Sequence, residues 1–244
     1  MISVCIATYN GEAFLKEQLQ SILLQIETED EVVISDDQST DSTLAIVDSF
    51  QDPRIRVIHH EGHSCKHNFI NAMQHAKGDV IFLSDQDDVW LPGKYERCLN
   101  ELKQVDLVCT NSILVDEELQ VINPNFFSVY HSGPGVLKNS MNNTYYGACV
   151  AFKRELLQWA FPMPQTVEIG HDIWLGLVAE MVGKVRFIDT PYLLYRRHSA
   201  TVTQTTSLLS RSNRALWKKI WGRVVVLIEV AKFYVKYLKN KKYA

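Results

Sequence analysis

The sequence has no paired cysteines. Its five, Cys5, Cys65, Cys98, Cys109 and Cys149, are scattered and form no Cys-x-x-Cys spacing. That excludes a ribbon-type zinc site and leaves reduced thiols in a cytoplasmic protein as the expectation. No run of about 18 uncharged apolar residues exists, so no membrane-spanning helix is expected. The first residues show no basic segment followed by an apolar stretch, so no signal peptide is expected either. The net charge of −3 over 244 residues gives no overall signal for a nucleic-acid partner. There is no internal repeat and no low-complexity tract. What is present, 46% hydrophobic and 22% charged residues, suits one sizeable domain or a domain with an appendage, long enough to bury a core.

Charge is unevenly distributed. Residues 211–244 hold ten basic residues and one acid, Glu229, for +9, whereas the remainder holds 15 basic and 27 acidic residues, for −12. In the same tail, Leu216, Ile220, Val224, Leu227, Ala231, Tyr234 and Leu238 recur at helical spacing. An amphipathic helix lying on an anionic membrane is one reading. A helix packed on its own domain, or a dimer contact, is the other.

The first 90 residues alternate between two periods. Residues 2–8 (ISVCIAT), 31–35 (EVVIS), 55–59 (IRVIH) and 80–83 (VIFL) are short β-branched runs and predict strands. Residues 12–26, 42–50 and 67–76 carry the helical period, and Gly78 is the expected C-cap of the third helix. Four strand–helix alternations predict an α/β fold with a parallel, doubly wound sheet, whose ligands bind at the carboxyl ends of the strands. The second half is less regular. Leu107–Asn111, Cys149–Phe152 and Val185–Ile188 predict strands, and Glu155–Phe161 and Asp172–Met181 predict helices. Residues 123–144 read as a long loop of the kind that often binds ligands.

Three polar loops follow strands at the predicted binding edge: Thr8–Asn10, Asp36–Asp41 and Asp85–Asp88. In an extended strand end, residues i and i+2 face the same way, so Asp85 and Asp87 can meet one ligand. Such carboxylates suit a hard divalent cation shared with substrate phosphates. A solvated acidic turn is the plainer alternative.

These motifs, in this order, resemble the inverting family 2 glycosyltransferases, from ISVCIATYNGEAFLKEQLQSI through VVISDDQSTDST and GDVIFLSDQDDVWLPGK to about residue 200. DQDDVW, HDIWL and YRRHSATVT look most like a rhamnosyltransferase-like subgroup. The resemblance implies a GT-A fold, a Rossmann-like, mainly parallel sheet with flanking helices. It divides the chain into a glycosyltransferase domain at 1–205, with a nucleotide-binding half (1–90) and an acceptor-binding half (91–205), and a basic amphipathic helical tail at 206–244.

Roles carry over by motif position. Thr8, Tyr9, Asn10 and Glu12 would line the nucleotide pocket. Asp36 would accept the N3–H of a uracil or thymine, since an ionised carboxylate only accepts; helix capping competes for Asp36, Asp37 and Asp41. Lys66 would offset diphosphate charge, with a plain surface lysine as the alternative, and Asn68 would stand beside it. Asp85, with Gln86, would face the ribose. Asp87 would ligate Mn²⁺ or Mg²⁺, and His198 would complete that shell, with Arg196 and Arg197 nearby. Gly147 would allow close backbone approach to the sugars. Asp172 would be the general base; the family often has Glu-Asp where this chain has His171-Asp172. Residues 200–207 would form a lid.

The implied reaction transfers a sugar from a UDP- or dTDP-sugar, dTDP-rhamnose among the candidates, to a glycan or lipid-linked acceptor in bacterial surface polysaccharide synthesis. The implied location is the inner face of the cell membrane. A nucleotidyltransferase, or a non-catalytic nucleotide-sugar or glycan-binding module, are the alternatives. The first would want a Gly-rich basic loop after strand one, where Tyr9-Asn10-Gly11-Glu12 stands; the second has no need of Asp172.

Overall fold

The computed structural model describes residues 1–198 and 215–243. The first half alternates as expected: β1 (Ile2–Thr8), α1 (Leu15–Leu23), β2 (Glu31–Asp36), α2 (Thr43–Ser49), β3 (Ile55–His59), α3 (Cys65–His75) and β4 (Val80–Ser84). Next come β5 (Val89–Trp90), α4 (Lys94–Leu102), β6 (Leu107–Val115), β7 (Val121–Asn123), α5 (Phe126–Tyr130) and α6 (Val136–Met141). The chain continues through β8 (Val150–Lys153), α7 (Leu157–Ala160), α8 (His171–Val182), β9 (Val185–Arg196) and α9 (Leu216–Tyr243).

The sheet runs in the order β3-β2-β1-β4-β8-β6-β9-β5, with β7 paired to β6. The β3-β2-β1-β4 half is all parallel. Its central strands are buried almost throughout, as a sheet covered on both faces requires. The other half is mixed: β8 runs antiparallel to both β4 and β6, β9 runs parallel to β6, and β5 runs antiparallel to β9. Directions set the site. β9 points the same way as β4, so its far end arrives at the edge where β1, β2 and β4 finish. β8 runs the other way, so the 3₁₀ turn Gly147–Cys149 that precedes it sits at that edge too. Helix α8 leads back into β9, so its first residues start there.

Two expectations differ from the structure. Gly78 does not cap α3; Ala76 ends the helix in an extended conformation. Gly78 instead lies against β1, where a Cβ would fall 2.4 Å from the Ile2 carbonyl carbon. Residues 123–144 are not a structureless loop. They hold α5 and α6, with Phe126, Phe127 and Tyr130 buried.

Helix α9 packs one face on the domain. Val226 and Phe233 are buried, Phe233 meets Trp174 of α8 edge-on at 5.6 Å, and Tyr237 meets Trp159 of α7 at 5.2 Å. The opposite face is apolar as well: Trp217, Ile220, Trp221, Leu227, Ile228 and Val235 are all exposed. No described helix is long and apolar enough to cross a membrane.

Candidate active site

The β1 and β2 loops are stitched together mostly by side chains bonded to backbone. Asn10, with φ +48°, receives the Thr40 N–H at its Oδ1 (2.9 Å) and gives its own N–H to Ser39 Oγ (2.9 Å). Glu12 accepts the Ser42 N–H at 2.9 Å, and the Glu12 N–H goes to Asp41 at 3.0 Å. Asp36 is enclosed: Oδ1 accepts from Thr8 Oγ1 (2.8 Å) and Ser39 Oγ (2.6 Å), and Oδ2 from the Ser39 N–H (2.9 Å). Asp37 gathers the Gly62, His63 and Ser64 N–H groups and His60 Nδ1. Burial would raise its pKa, but these bonds outweigh burial and hold it below the usual carboxylate range. Three of the predicted nucleotide-binding side chains, Asn10, Glu12 and Asp36, therefore hold the pocket's walls. Tyr9, half exposed, remains open at the loop tip.

Asn68 bonds the Thr8 carbonyl at 3.1 Å from α3. Lys66 turns toward the segment leading into α8, donating to the Pro164 and Thr166 carbonyls at 2.5 and 3.0 Å. Burial lowers its pKa.

The acids after β4 form one cluster. Carboxylate oxygens of Asp85, Asp87 and Asp88 lie within 4.8 Å of one another. His198 joins them from the end of β9, its Nε2 2.7 Å from Asp87 Oδ2, and its ring tilts over Phe14 at 4.7 Å. Burial, then the charges of Asp87 and Asp172, push Asp85 up to about 7. A cation would reverse that shift. The oxygen-rich set with one imidazole fits Mn²⁺ or Mg²⁺. Asp88 is less available: it is buried, and its Oδ1 holds the Arg196 N–H at 2.9 Å. The Arg196 guanidinium in turn donates to the Asp87 and Glu117 carbonyls and to Glu17, and lies 4.6 Å over Phe14. The arginine is thus a frame for the cluster. Arg197 donates to the Tyr130 hydroxyl at 2.8 Å.

Across the edge, Asp172 sits in the first turn of α8. Burial pushes its carboxyl up to about 6, although it accepts the Ile173 N–H at 2.7 Å. Asp172 contributes to the shift of Asp85, so the two acids share one field. Gly147 faces this turn: a Cβ there would lie 3.9 Å from Asp172 Cβ and 3.1 Å from His171 Nε2. His171 stacks on Phe69 at 4.2 Å, and burial, with Lys66 nearby, drops its pKa to about 3. It is a neutral wall beside Asp172.

Sequence reasoning did not single out Lys94. It is the first residue of α4 and completely buried. It donates to the Ala148 carbonyl at 2.6 Å and stands 4.7 Å from the Trp90 ring. Its charge offsets the acids from behind. A cation in a helix's first turn opposes the macrodipole, and that mismatch was its one sequence signal. Residues 200–207, the expected lid, lie outside the described residues.

The profile of glycosyl transferase family 2 matches residues 3–159, more than half of the chain. The chain belongs to that family. An uncharacterized glycosyltransferase of a Nostoc species is 27% identical over 82% of this chain, which spans only 65% of that relative. The dTDP-rhamnosyl transferase RfbG of Shigella flexneri is 33% identical over 45% of this glycosyltransferase and 40% of its own length. The UDP-Glc:alpha-D-GlcNAc-diphosphoundecaprenol beta-1,3-glucosyltransferase WfaP of Escherichia coli is 25% identical over 95% of the chain and 92% of its own. Among solved structures, S. aureus TarS 1-349 in complex with UDP-GlcNAc superposes with a TM-score of 0.69 at 17% identity, over 97% of this chain and 71% of that one. The family 2 chain and TarS share the GT-A fold.

Proposed function

We propose that this family 2 glycosyltransferase moves a sugar, with inversion, from a UDP- or dTDP-sugar to a hydroxyl of a glycan or lipid-linked acceptor in bacterial surface polysaccharide synthesis. The observation carrying the reading is one edge with two kinds of carboxylate. Asp85 and Asp87 stand with His198 as an oxygen-rich cation site. Asp172 stands opposite, alone in a buried helix turn, with its pKa raised toward neutrality. A base poised near the working pH is most effective when its pKa is close to that pH.

Asp172 takes the proton of the acceptor hydroxyl. The hydroxyl oxygen forms its bond to the anomeric carbon as the bond to the diphosphate oxygen breaks on the opposite face, which inverts that carbon. Asp87 and His198 would hold Mn²⁺ or Mg²⁺, with Asp85 beside them on the ribose side, and the ion's chemistry is to neutralise charge on the departing diphosphate. Gly147, without a side chain, leaves room for the sugar beside the base. The names of WfaP and TarS favour a UDP donor, and that of RfbG a dTDP-rhamnose donor. The outer apolar face of α9, flanked by Lys218, Lys232 and Lys236, suits an anionic membrane surface on which a lipid-linked acceptor is presented.

A panel of UDP- and dTDP-sugars with Mn²⁺, read out as nucleoside diphosphate release, tests the reading. Asp172→Asn is expected to lower turnover by about 10²–10⁴-fold while nucleotide binding persists. A wild-type protein that binds nucleotide yet turns over no donor would be a binding module instead.

A further inference from the structure

Gln86 lies between the two acids expected to meet ribose and cation, and its amide is already engaged. Oε1 accepts the Tyr9 N–H at 3.0 Å, and Nε2 donates to the Tyr9 carbonyl at 3.1 Å. A side-chain amide here pairs with a main-chain residue as one strand pairs with another. The partner sits 77 positions away, at the tip of the nucleotide-facing loop.

A second observation shows that the chain is shaped around this pairing. Gly11 has nothing unusual in φ, but a Cβ there would lie 2.5 Å from Gln86 Oε1 and 2.8 Å from its amide carbon. A side chain at position 11 would therefore push the Gln86 amide out of its place. Asn10, between the two, holds the left-handed conformation that turns Gly11 beneath that amide.

We propose that Gln86 is a positioning residue: its amide clasps the Tyr9 main chain, so that the nucleotide loop and the Asp85–Asp87 loop move as one body. The proposal rests on the donor and cation reading above for its consequence and on the two hydrogen bonds for its existence. The loop carrying Asp85 and Asp87 is set by β4, and the loop carrying Tyr9 by β1. The two strands stay paired as far as Ile6 beside Ser84, so without the clasp only the loop tips beyond that pair lose their position relative to one another. A donor whose base meets one loop and whose diphosphate meets the other would then be bound more weakly, while Asp172 on α8 is untouched.

The test is a double-mutant cycle on Gly11→Ala and Gln86→Ala, with donor KM and kcat as readouts. Each single variant is expected to raise donor KM about tenfold with kcat within about threefold. The double variant is expected to stay near tenfold, because the atoms that the new Cβ would meet are gone. A hundredfold rise in the double variant would mean independent effects and would overturn the clasp, as would a silent Gln86→Ala. Amide exchange reports on the clasp without any ligand: the Tyr9 N–H should exchange at least about tenfold faster in Gln86→Ala than in wild type, with thermal midpoints matched. Unchanged exchange overturns the proposal even if KM moves. Wild-type protein inactive on every donor, with exchange faster in Gln86→Ala, leaves the clasp standing and removes the donor reading.

Discussion

At the scale of single residues, the site divides into groups that touch ligand and groups that hold the ones that do. In the proposed reaction, Asp172 belongs to the first. Its carboxyl must be ionised to accept a proton, and its raised pKa of about 6 places the change just below neutrality. The expected kcat/KM profile, taken at saturating Mn²⁺, falls about tenfold per pH unit below pH 6 and is flat above it until another group titrates. A profile flat down to pH 4.5 would remove Asp172 from that role. Asp36 and Glu12, assigned to the nucleotide by motif, also hold neighbouring loop groups. Their motif positions were legible, but their spending was not, because a carboxylate that binds a neighbouring N–H and one that binds a base look alike in sequence. The pairing of His198 with Asp87 spans 111 positions. No local pattern encodes it, and only resemblance to a family brought those two residues together. Lys66 was legible as a cation, but its direction toward the Pro164 carbonyl depends on a segment whose course no local signal specifies.

At the scale of elements, the parallel half was legible because strands buried on both faces write themselves as unbroken apolar runs. Short helices do not. Helices α5 and α6 have five and six residues, fewer than two turns, too few to display a period. Asn125, whose side chain accepts the Ser128 N–H, was the cue that could have revealed α5. The antiparallel insertion of β8 between β4 and β6 was likewise hidden, since pairing partners are a property of the assembled sheet. Gly78 gives this scale its prediction. It marks close passage of the α3–β4 connection over β1, so Gly78→Ala should cost about 1–3 kcal/mol through overpacking. The expected readout is a lower urea midpoint with an unchanged slope; an unaltered midpoint would show that the connection can move aside.

At the scale of the whole molecule, α9 carries two apolar stripes on opposite sides, and the domain uses only one. Composition disclosed the helix and its charge but could not tell one stripe from two, because the rings that meet Phe233 and Tyr237 come from α8 and α7. Deleting the tail would strip Trp174 and Trp159 of their cover and confuse folding with membrane binding. Trp217→Ser with Trp221→Ser changes the outer stripe alone. Flotation with anionic liposomes is expected to drop several-fold in that variant with the thermal midpoint held, and equal flotation would assign the outer stripe to something other than lipid. The buried Lys94 has a further use at this scale. It is an amine sealed inside the sheet–helix layer, so an amine-acylating reagent reaches it only when the molecule opens. Its acylation should run at least about 10³-fold slower than that of exposed lysines such as Lys232. That lag makes Lys94 a chemical clock, one mass-resolved peptide whose labelling rate counts how often the edge that carries Asp85 and Asp88 comes apart.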